Sequence, residues 1–120
     1  MKVKVYGYGK CSTCRKANSY LKGLDIPFQS IDITEKAPTK KEIKEMIQAY
    51  DGQSKKVLNT SGVEYRRLGL SQKLSSMPEK ELVDLLAGNG RLIKRPFLVL
   101  DQEAKLVGFK QEEWRDVLES

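Results

Sequence analysis

Both ends of the chain carry short stretches whose hydrophobic pattern is typical of β-strands. Residues 2–6 (KVKVY) alternate polar and apolar positions, and residues 27–33 (PFQSIDI) are rich in β-branched and aromatic side chains. Residues 97–100 (FLVL) are wholly apolar, and an acidic turn separates them from residues 105–109 (KLVGF). The pattern therefore predicts a strand near the N-terminus, a second strand after Pro27, and a C-terminal hairpin.

Between and after these strands, apolar residues recur at the spacing of helices. Stripes at intervals of three and four residues are formed by Ala17, Tyr20, Leu21 and Leu24, by Ile43, Met46, Ile47 and Tyr50, by Leu82, Leu85 and Leu86, and by Trp114, Val117 and Leu118. Thr39 with Glu42, and Ser76 with Glu79, have the capping-box spacing that begins a helix. The chain therefore begins with a β-α-β unit, continues with about three helices and ends with a β-β-α unit. This order predicts a single α/β domain over residues 1–120, with a helical insertion at about 39–90.

The charge balance narrows the choice of partners. The net charge is +6, from 22 basic and 16 acidic residues, which favours an oxyanion, an acidic protein surface or nucleic acid. The basic residues are scattered and no aromatic residues are interleaved with them, so an ordinary solvated surface is the simpler interpretation and direct nucleic-acid binding is not expected. No run approaches the roughly 18 apolar residues of a membrane span, and the N-terminus lacks the apolar stretch of a signal peptide. We therefore expect a cytoplasmic monomer that does not bind membranes.

The chain contains no histidine, and this excludes several kinds of active site. Neither a Ser-His-Asp triad nor a histidine-activated cysteine can be built. Two cysteines alone cannot complete a four-ligand zinc site, which leaves only a site shared between chains. We expect no metal and no tightly bound organic cofactor.

The two cysteines, Cys11 and Cys14, follow the first strand and begin the first helix. At the N-cap, the sulfur of Cys11 would face the unpaired N–H groups and the positive end of the helix dipole, with Lys10 and Arg15 nearby, a setting that favours the nucleophilic thiolate. Cys14 lies on the buried stripe, so it would be the shielded, resolving thiol. The alternative is that both are small helix-start residues without chemistry, but a C-x-x-C in a βαβ context favours a redox motif.

A second candidate element is the Arg95-Pro96 pair immediately before the apolar strand. X-Pro bonds are where cis peptides occur, and in thioredoxin-like folds a cis-proline loop faces the reactive cysteine. This interpretation predicts that Arg95 and Pro96 approach Cys11, where Arg95 would stabilise the thiolate and hold an oxyanion. The alternative is a strand-entry proline beside a solvated arginine.

Four segments together resemble the arsenate reductase family that includes the Spx regulators: YGYGKCSTCRKA, IPFQSIDITEKAPTKKEI, NTSGVEYRRLGL and LIKRPFLVLDQEAKLVGFK. The resemblance runs over nearly the whole chain. It implies a thioredoxin-like (glutaredoxin-like) mixed sheet with a helical insertion, a nucleophile at Cys11 and an anion-holding arginine at Arg95. It also implies an oxyanion or thiol substrate and a glutaredoxin, a thioredoxin or glutathione as the reductant.

The sequence departs from glutaredoxin-coupled arsenate reductases in three places. Cys14 stands where those proteins have serine, which allows a disulfide within the chain, as Spx proteins look able to form. Two of their three oxyanion-holding arginines fall on Asn59 and around Gly108, so we do not expect efficient arsenate reduction unless Arg66, Arg67, Arg91 or Lys110 substitutes in space.

Three functions remain open at this point. The leading hypothesis is a thiol-dependent oxidoreductase that reduces arsenate or another oxidised substrate. The second is an Spx-type redox-sensing regulator that binds the C-terminal domain of the RNA polymerase α subunit. The Asp51-Gly52 turn resembles an acidic-Gly turn of Spx proteins, but a helix C-cap with Gly at C′ is the simpler explanation and needs no partner. The third is a binding protein with inert cysteines.

Overall fold

The computed structural model describes residues 1–119 and is built around a four-stranded mixed sheet. The strands are β1 (Val3–Gly7), β2 (Gln29–Asp32), β3 (Phe97–Leu100) and β4 (Glu103–Val107). Their order is β2-β1-β3-β4; β1 is parallel to β2 and antiparallel to β3, and β3 is antiparallel to β4. The predicted α/β fold, with a βαβ beginning and a ββα end, is confirmed.

The helices of residues 1–119 are α1 (Ser12–Gly23), α2 (Lys40–Ala49), α3 (Val63–Arg67), α4 (Leu70–Lys73), α5 (Glu79–Gly88) and α6 (Gln111–Glu119), with short 3₁₀ turns at Ser54–Val57, Leu74–Ser76 and Gly90–Leu92. Four of these helices, α2 to α5, lie between β2 and β3 in the chain. Because β2 and β3 both pair with β1, this long segment leaves the sheet and returns to it on the other side of β1.

Two apolar layers cover the two faces of the sheet. Val5 and Leu98 point into a cluster that contains residues of α1 and α6, including the fully buried Trp114. Phe97 and Val99 point the other way, into a cluster with residues of α2 and α5. Since both faces are covered, every residue of β3 is buried, which explains the uninterrupted apolar run.

The buried carboxylate of Glu42 ties α2 to β1. The predicted capping box is confirmed: Thr39 Oγ1 accepts a hydrogen bond from the Glu42 N–H at 3.1 Å, and Glu42 Oε1 accepts one from the Thr39 N–H at 2.9 Å. Glu42 also accepts a hydrogen bond from the Tyr6 hydroxyl at 2.7 Å and pairs with Lys4. Burial alone would raise the pKa of Glu42, but these donors outweigh it and hold the pKa below its ordinary value.

Two helix-end predictions were wrong. Ser76 does not cap α5: it belongs to a 3₁₀ turn, its hydroxyl donates to the Lys73 carbonyl oxygen at 3.2 Å, and Pro78 is the residue that precedes the helix. Leu24 does not extend the buried stripe of α1, because the helix ends at Gly23 and the Leu24 side chain is 45% exposed.

The C-terminal hairpin turns earlier than predicted. β4 begins at Glu103 instead of residue 105, because Asp101 and Gln102 both adopt positive φ angles, 48° and 72°. Two consecutive residues of this kind close a tight hairpin whose twist matches the strands. At its other end, β4 stops at Val107, so Gly108 lies just beyond the strand.

Candidate active site

Cys11 lies at the N-cap of α1, as predicted. Its backbone is extended, its N–H donates to the Tyr8 carbonyl oxygen at 3.0 Å, and its Sγ accepts a hydrogen bond from the Cys14 N–H at 3.3 Å. The sulfur therefore replaces the side-chain oxygen that usually caps a helix, and it meets N–H groups that have no partner within the helix. This position stabilises a negative charge on the sulfur.

Cys14 lies one turn further along α1 and is buried, with 2% of its surface exposed. Gly7 of β1 packs against it so closely that a Cβ at Gly7 would lie 3.4 Å from Cys14 Sγ. Burial raises the pKa of the Cys14 thiol to about 12, and its hydrogen bond to Cys11 acts in the same direction. Cys14 is therefore a shielded, protonated thiol that donates toward Cys11.

The pKa of the Cys11 thiol is shifted the other way. Partial burial by itself would raise it, but hydrogen bonds from the Cys14 thiol, from the Cys14 N–H and from the Arg95 side chain outweigh burial and lower it. The pair is thus asymmetric: one partly exposed cysteine tends to ionise, and its buried neighbour keeps its proton. Disulfide exchange requires this division between an attacking and a resolving thiol.

Arg95 and Pro96 approach Cys11, as the sequence predicts. β1 and β3 are antiparallel with Tyr6 opposite Phe97, so the loop before β3 lies beside the loop after β1. The Arg95-Pro96 peptide bond is cis. The guanidinium carbon of Arg95 also lies 5.2 Å from the centre of the Tyr8 ring, a cation–π contact that holds the guanidinium close to the thiol.

Lys10 and Arg15 are exposed residues on either side of the cysteine pair. The Arg15 N–H donates to the Cys11 carbonyl oxygen at 3.1 Å. Arg15 lines a groove with residues of α1 and with Phe109 and Gln111, and it is not among the residues that line the clefts beside Arg95. Anion binding by Lys10 or Arg15 stays a prediction.

Two clefts flank Arg95, and they contain the two positions where arginines were expected. One cleft is lined by Tyr8, Thr34, Asn59, Ser61, Arg91 and neighbouring residues. The other is lined by Thr13, Tyr50, Lys56, Lys94, Val107, Gly108, Phe109, Lys110 and Glu113. Of the cations considered as substitutes, Arg91 shares the first cleft and Lys110 the second. Arg67 instead forms a two-bond ion pair with Glu64.

Sequence reasoning missed three residues of this site. Tyr8 was not singled out, although an aromatic residue directly after β1 is the feature that could have drawn attention to it. Lys56 and Lys94 were counted only among the scattered basic residues, since nothing local distinguishes them. The fold brings both beside Arg95.

Within residues 1–119, no cluster of three or more histidine, cysteine, aspartate or glutamate side chains is arranged to hold a metal ion. No helix in that part of the chain is long and apolar enough to cross a membrane.

Comparisons with known proteins agree with the geometry. The family model described as "ArsC family" matches residues 6–117. The chain is 42% identical to the uncharacterized protein YusI of Bacillus subtilis over 116 residues, 97% of this chain and 98% of that one. It is 28% identical to the global transcriptional regulator Spx of Listeria innocua over 97% of this chain and 86% of the regulator.

Among solved structures, the crystal structure of a possible arsenate reductase from Streptococcus mutans superposes with a TM-score of 0.85 at 38% identity. The match covers 91% of this chain and 92% of that one. The likeness confirms the thioredoxin-like architecture that the resemblance implied.

Proposed function

The chain belongs to the ArsC family, and we propose that it is a thiol-dependent oxidoreductase that works through Cys11 and Cys14. The observation that carries the proposal is the asymmetry of the pair: Cys11 is partly exposed at the N-cap of α1, and Cys14 is buried one helical turn further on. The opposite directions of their pKa shifts agree with this arrangement. A purely structural pair has no need of the Arg95 guanidinium at one sulfur.

The reaction proceeds in two exchanges. The Cys11 thiolate attacks one sulfur of a disulfide substrate; the substrate S–S bond breaks, a mixed disulfide forms on Cys11, and the departing thiolate takes a proton from water. Cys14 then gives up its proton to water and attacks the Cys11 sulfur, which forms the Cys11–Cys14 disulfide and releases the second half of the substrate as a thiolate that takes a proton in turn. The substrate gains two electrons and the protein loses two. A thioredoxin, a glutaredoxin or a low-molecular-weight thiol returns them.

Arg95 assists both exchanges through its position beside Cys11. Its positive charge stabilises the attacking thiolate of Cys11, and in the second exchange it stabilises the negative charge that develops on the departing substrate thiolate. Arsenate is expected to be a poor substrate, because Asn59 and Gly108 offer no charge. Two missing charged contacts cost several kcal/mol, at about 1.5–3 kcal/mol each.

A single-turnover experiment tests the proposal. Reduced protein is mixed with excess bis(2-hydroxyethyl) disulfide, and the products are followed by thiol titration and intact mass. We expect the native chain to finish as the Cys11–Cys14 disulfide, the variant Cys14→Ser to stop at a mixed disulfide on Cys11, and Cys11→Ser not to react. A native chain that leaves the disulfide intact would show that the proposal is wrong.

The second candidate is a redox-sensing regulator of the Spx type, which the similarity to Listeria Spx over most of the chain favours. The Asp51-Gly52 turn gives it little independent support. Gly52, with φ of 79°, donates to the Ile47 carbonyl oxygen at 2.9 Å and so closes the end of α2. Binding of purified RNA polymerase α C-terminal domain, tested with reduced and oxidised protein, separates the two. Micromolar binding with a redox difference, without turnover, would favour the regulator.

A further inference from the structure

The second cleft beside Arg95 is strongly cationic. Of its lining residues, Lys56, Lys94, Arg95 and Lys110 are basic, and Glu113 is the one acid among those that the structure places there. The ion pairs of residues 1–119 involve other cations: Lys4, Lys40, Arg67 and Lys105. In residues 1–119, the four cations that line this groove therefore form no ion pair with a carboxylate.

Lys94 occupies the space that a side chain at position 108 would need. A Cβ built on Gly108 would lie 3.2 Å from Lys94 Cε and 3.7 Å from Lys94 Nζ. Gly108 also has a φ of 74°, which a residue with a side chain rarely adopts. The Lys94 ammonium therefore lies beside Gly108, where the last hairpin carries no side chain.

The backbone on both sides of this contact is held in place. The Lys94 N–H donates to the Val57 carbonyl oxygen at 2.8 Å, and the Gly108 N–H donates to the Pro96 carbonyl oxygen, also at 2.8 Å. The Trp114 indole N–H donates to the Gly108 carbonyl oxygen at 3.0 Å. The groove is thus built on the same loop that carries Arg95 to Cys11, and its wall is fixed with respect to the thiol.

The groove has room for a substrate larger than an inorganic oxyanion. Its volume of about 500 Å³ falls in the range of small-molecule sites, about 300–1,000 Å³. Three of its four cations are lysines, whose compact charge and flexible stem suit carboxylates held at different distances, whereas close recognition of one tetrahedral anion favours the planar fork of arginine. Tyr50 and Phe109 supply apolar wall between these charges.

We propose that this groove binds the carboxylate-bearing half of a low-molecular-weight disulfide, with Lys94 as the main residue that selects for negative charge. The inference rests on the proposed function, and it names the class of substrate. With the carboxylate on Lys94 and its neighbours, the disulfide sulfur lies toward Arg95 and Cys11. The exchanges are those described above; the half held in the groove remains on Cys11 until Cys14 releases it as a thiol.

Three small disulfides of different charge test the proposal: the dicarboxylate 3,3′-dithiodipropionate, the neutral bis(2-hydroxyethyl) disulfide and the dication cystamine. Each kcat/KM is measured with the native chain, with Lys94→Gln, and with Lys41→Gln, which removes the same charge from an exposed position of α2. Comparing each variant with the native chain cancels the different chemical reactivities of the three disulfides. The neutral disulfide also reports whether the variants are folded.

We expect Lys94→Gln to lower kcat/KM for the dicarboxylate by roughly fivefold, the size of one partly exposed charge contact. For the same variant, kcat/KM for the neutral disulfide should change less than twofold, and kcat/KM for cystamine should rise. The control Lys41→Gln should leave kcat/KM for all three disulfides unchanged. Equal losses for the neutral and anionic substrates, or no loss, would overturn the assignment of the groove while leaving the oxidoreductase intact. Arsenate reduced faster than the dicarboxylate, with the same dependence on Lys94, would overturn the substrate class. If the native chain reduces none of the disulfides, the proposed function fails, and the groove proposal fails with it.

Discussion

Replacing Arg95 with glutamine should slow the reaction of Cys11 with electrophiles at low pH. The substitution removes the guanidinium that lowers the pKa of the Cys11 thiol and lies over the Tyr8 ring, and it leaves a shorter, neutral side chain. The hydrogen bond from the Cys14 N–H and the N-terminus of α1 remain. The variant therefore isolates the contribution of one cation to the thiolate.

The expected size follows from the contact that is lost. A hydrogen bond to a charged group contributes about 1.5–3 kcal/mol, and the lower end applies here because Cys11 is only partly buried. About 1.4 kcal/mol corresponds to a factor of ten in an equilibrium constant. At a pH below the thiol pKa, where the rate is proportional to the thiolate fraction, Arg95→Gln should react roughly tenfold more slowly than the native chain.

The rate of alkylation by iodoacetamide between pH 5 and 9, followed by intact mass, measures this effect. Cys14 does not interfere, because it is buried and its pKa of about 12 keeps it protonated over this range. The loss should be largest at low pH and should shrink as the pH rises and both proteins ionise. Arg115→Gln, at an exposed position of α6, is the matched control and should follow the native profile. If Arg95→Gln stays within twofold of the native rate at low pH, the role given to Arg95 is refuted.

Three further predictions concern stability, each measured by urea unfolding. Glu42→Gln should lower the free energy of unfolding at pH 7 by about 2–3 kcal/mol, because it breaks the pair with Lys4. Folding lowers the pKa of Glu42, so its contribution to the free energy of unfolding is present above the ordinary carboxyl pKa and is lost as the pH falls through the folded-state pKa. The free energies of unfolding of the native chain and of Glu42→Gln should therefore converge in acid. A difference that stays constant with pH would contradict this. Tyr50→Phe should lower the free energy of unfolding by about 1–3 kcal/mol, because the Tyr50 hydroxyl accepts a hydrogen bond from the Val107 N–H at 3.0 Å and that donor would lose its partner. An unchanged urea midpoint would show that water replaces the hydroxyl. Gly90→Ala should lower the free energy of unfolding by roughly 3 kcal/mol, because the new Cβ would clash with the Ile33 carbonyl oxygen. The matched control Gly88→Ala has open space around its new Cβ and should not lower the free energy of unfolding.

Much of the architecture follows from local pattern. The stripe of α2, its Thr39–Glu42 capping box and the burial of the apolar run of β3 were predicted from local pattern and are confirmed, although the same spacing at Ser76 and Glu79 forms no capping box. The predictions that depended on a few turn residues were less accurate. The hairpin begins at Asp101 and Gln102 because both enter the left-handed region, which composition alone does not indicate.

The sequence by itself also determined the two cysteines' positions, because an N-cap and a residue three positions later on the buried stripe are set by helix geometry within one turn. The surroundings of Arg95 could not be obtained in this way. Tyr8, Lys56 and Lys94 lie beside Arg95 only because β1 and β3 pair antiparallel and the chain between β2 and β3 returns to the sheet on the other side of β1. Charge acts through space, so which cations face the thiol was decided by the tertiary structure and not by their order along the chain.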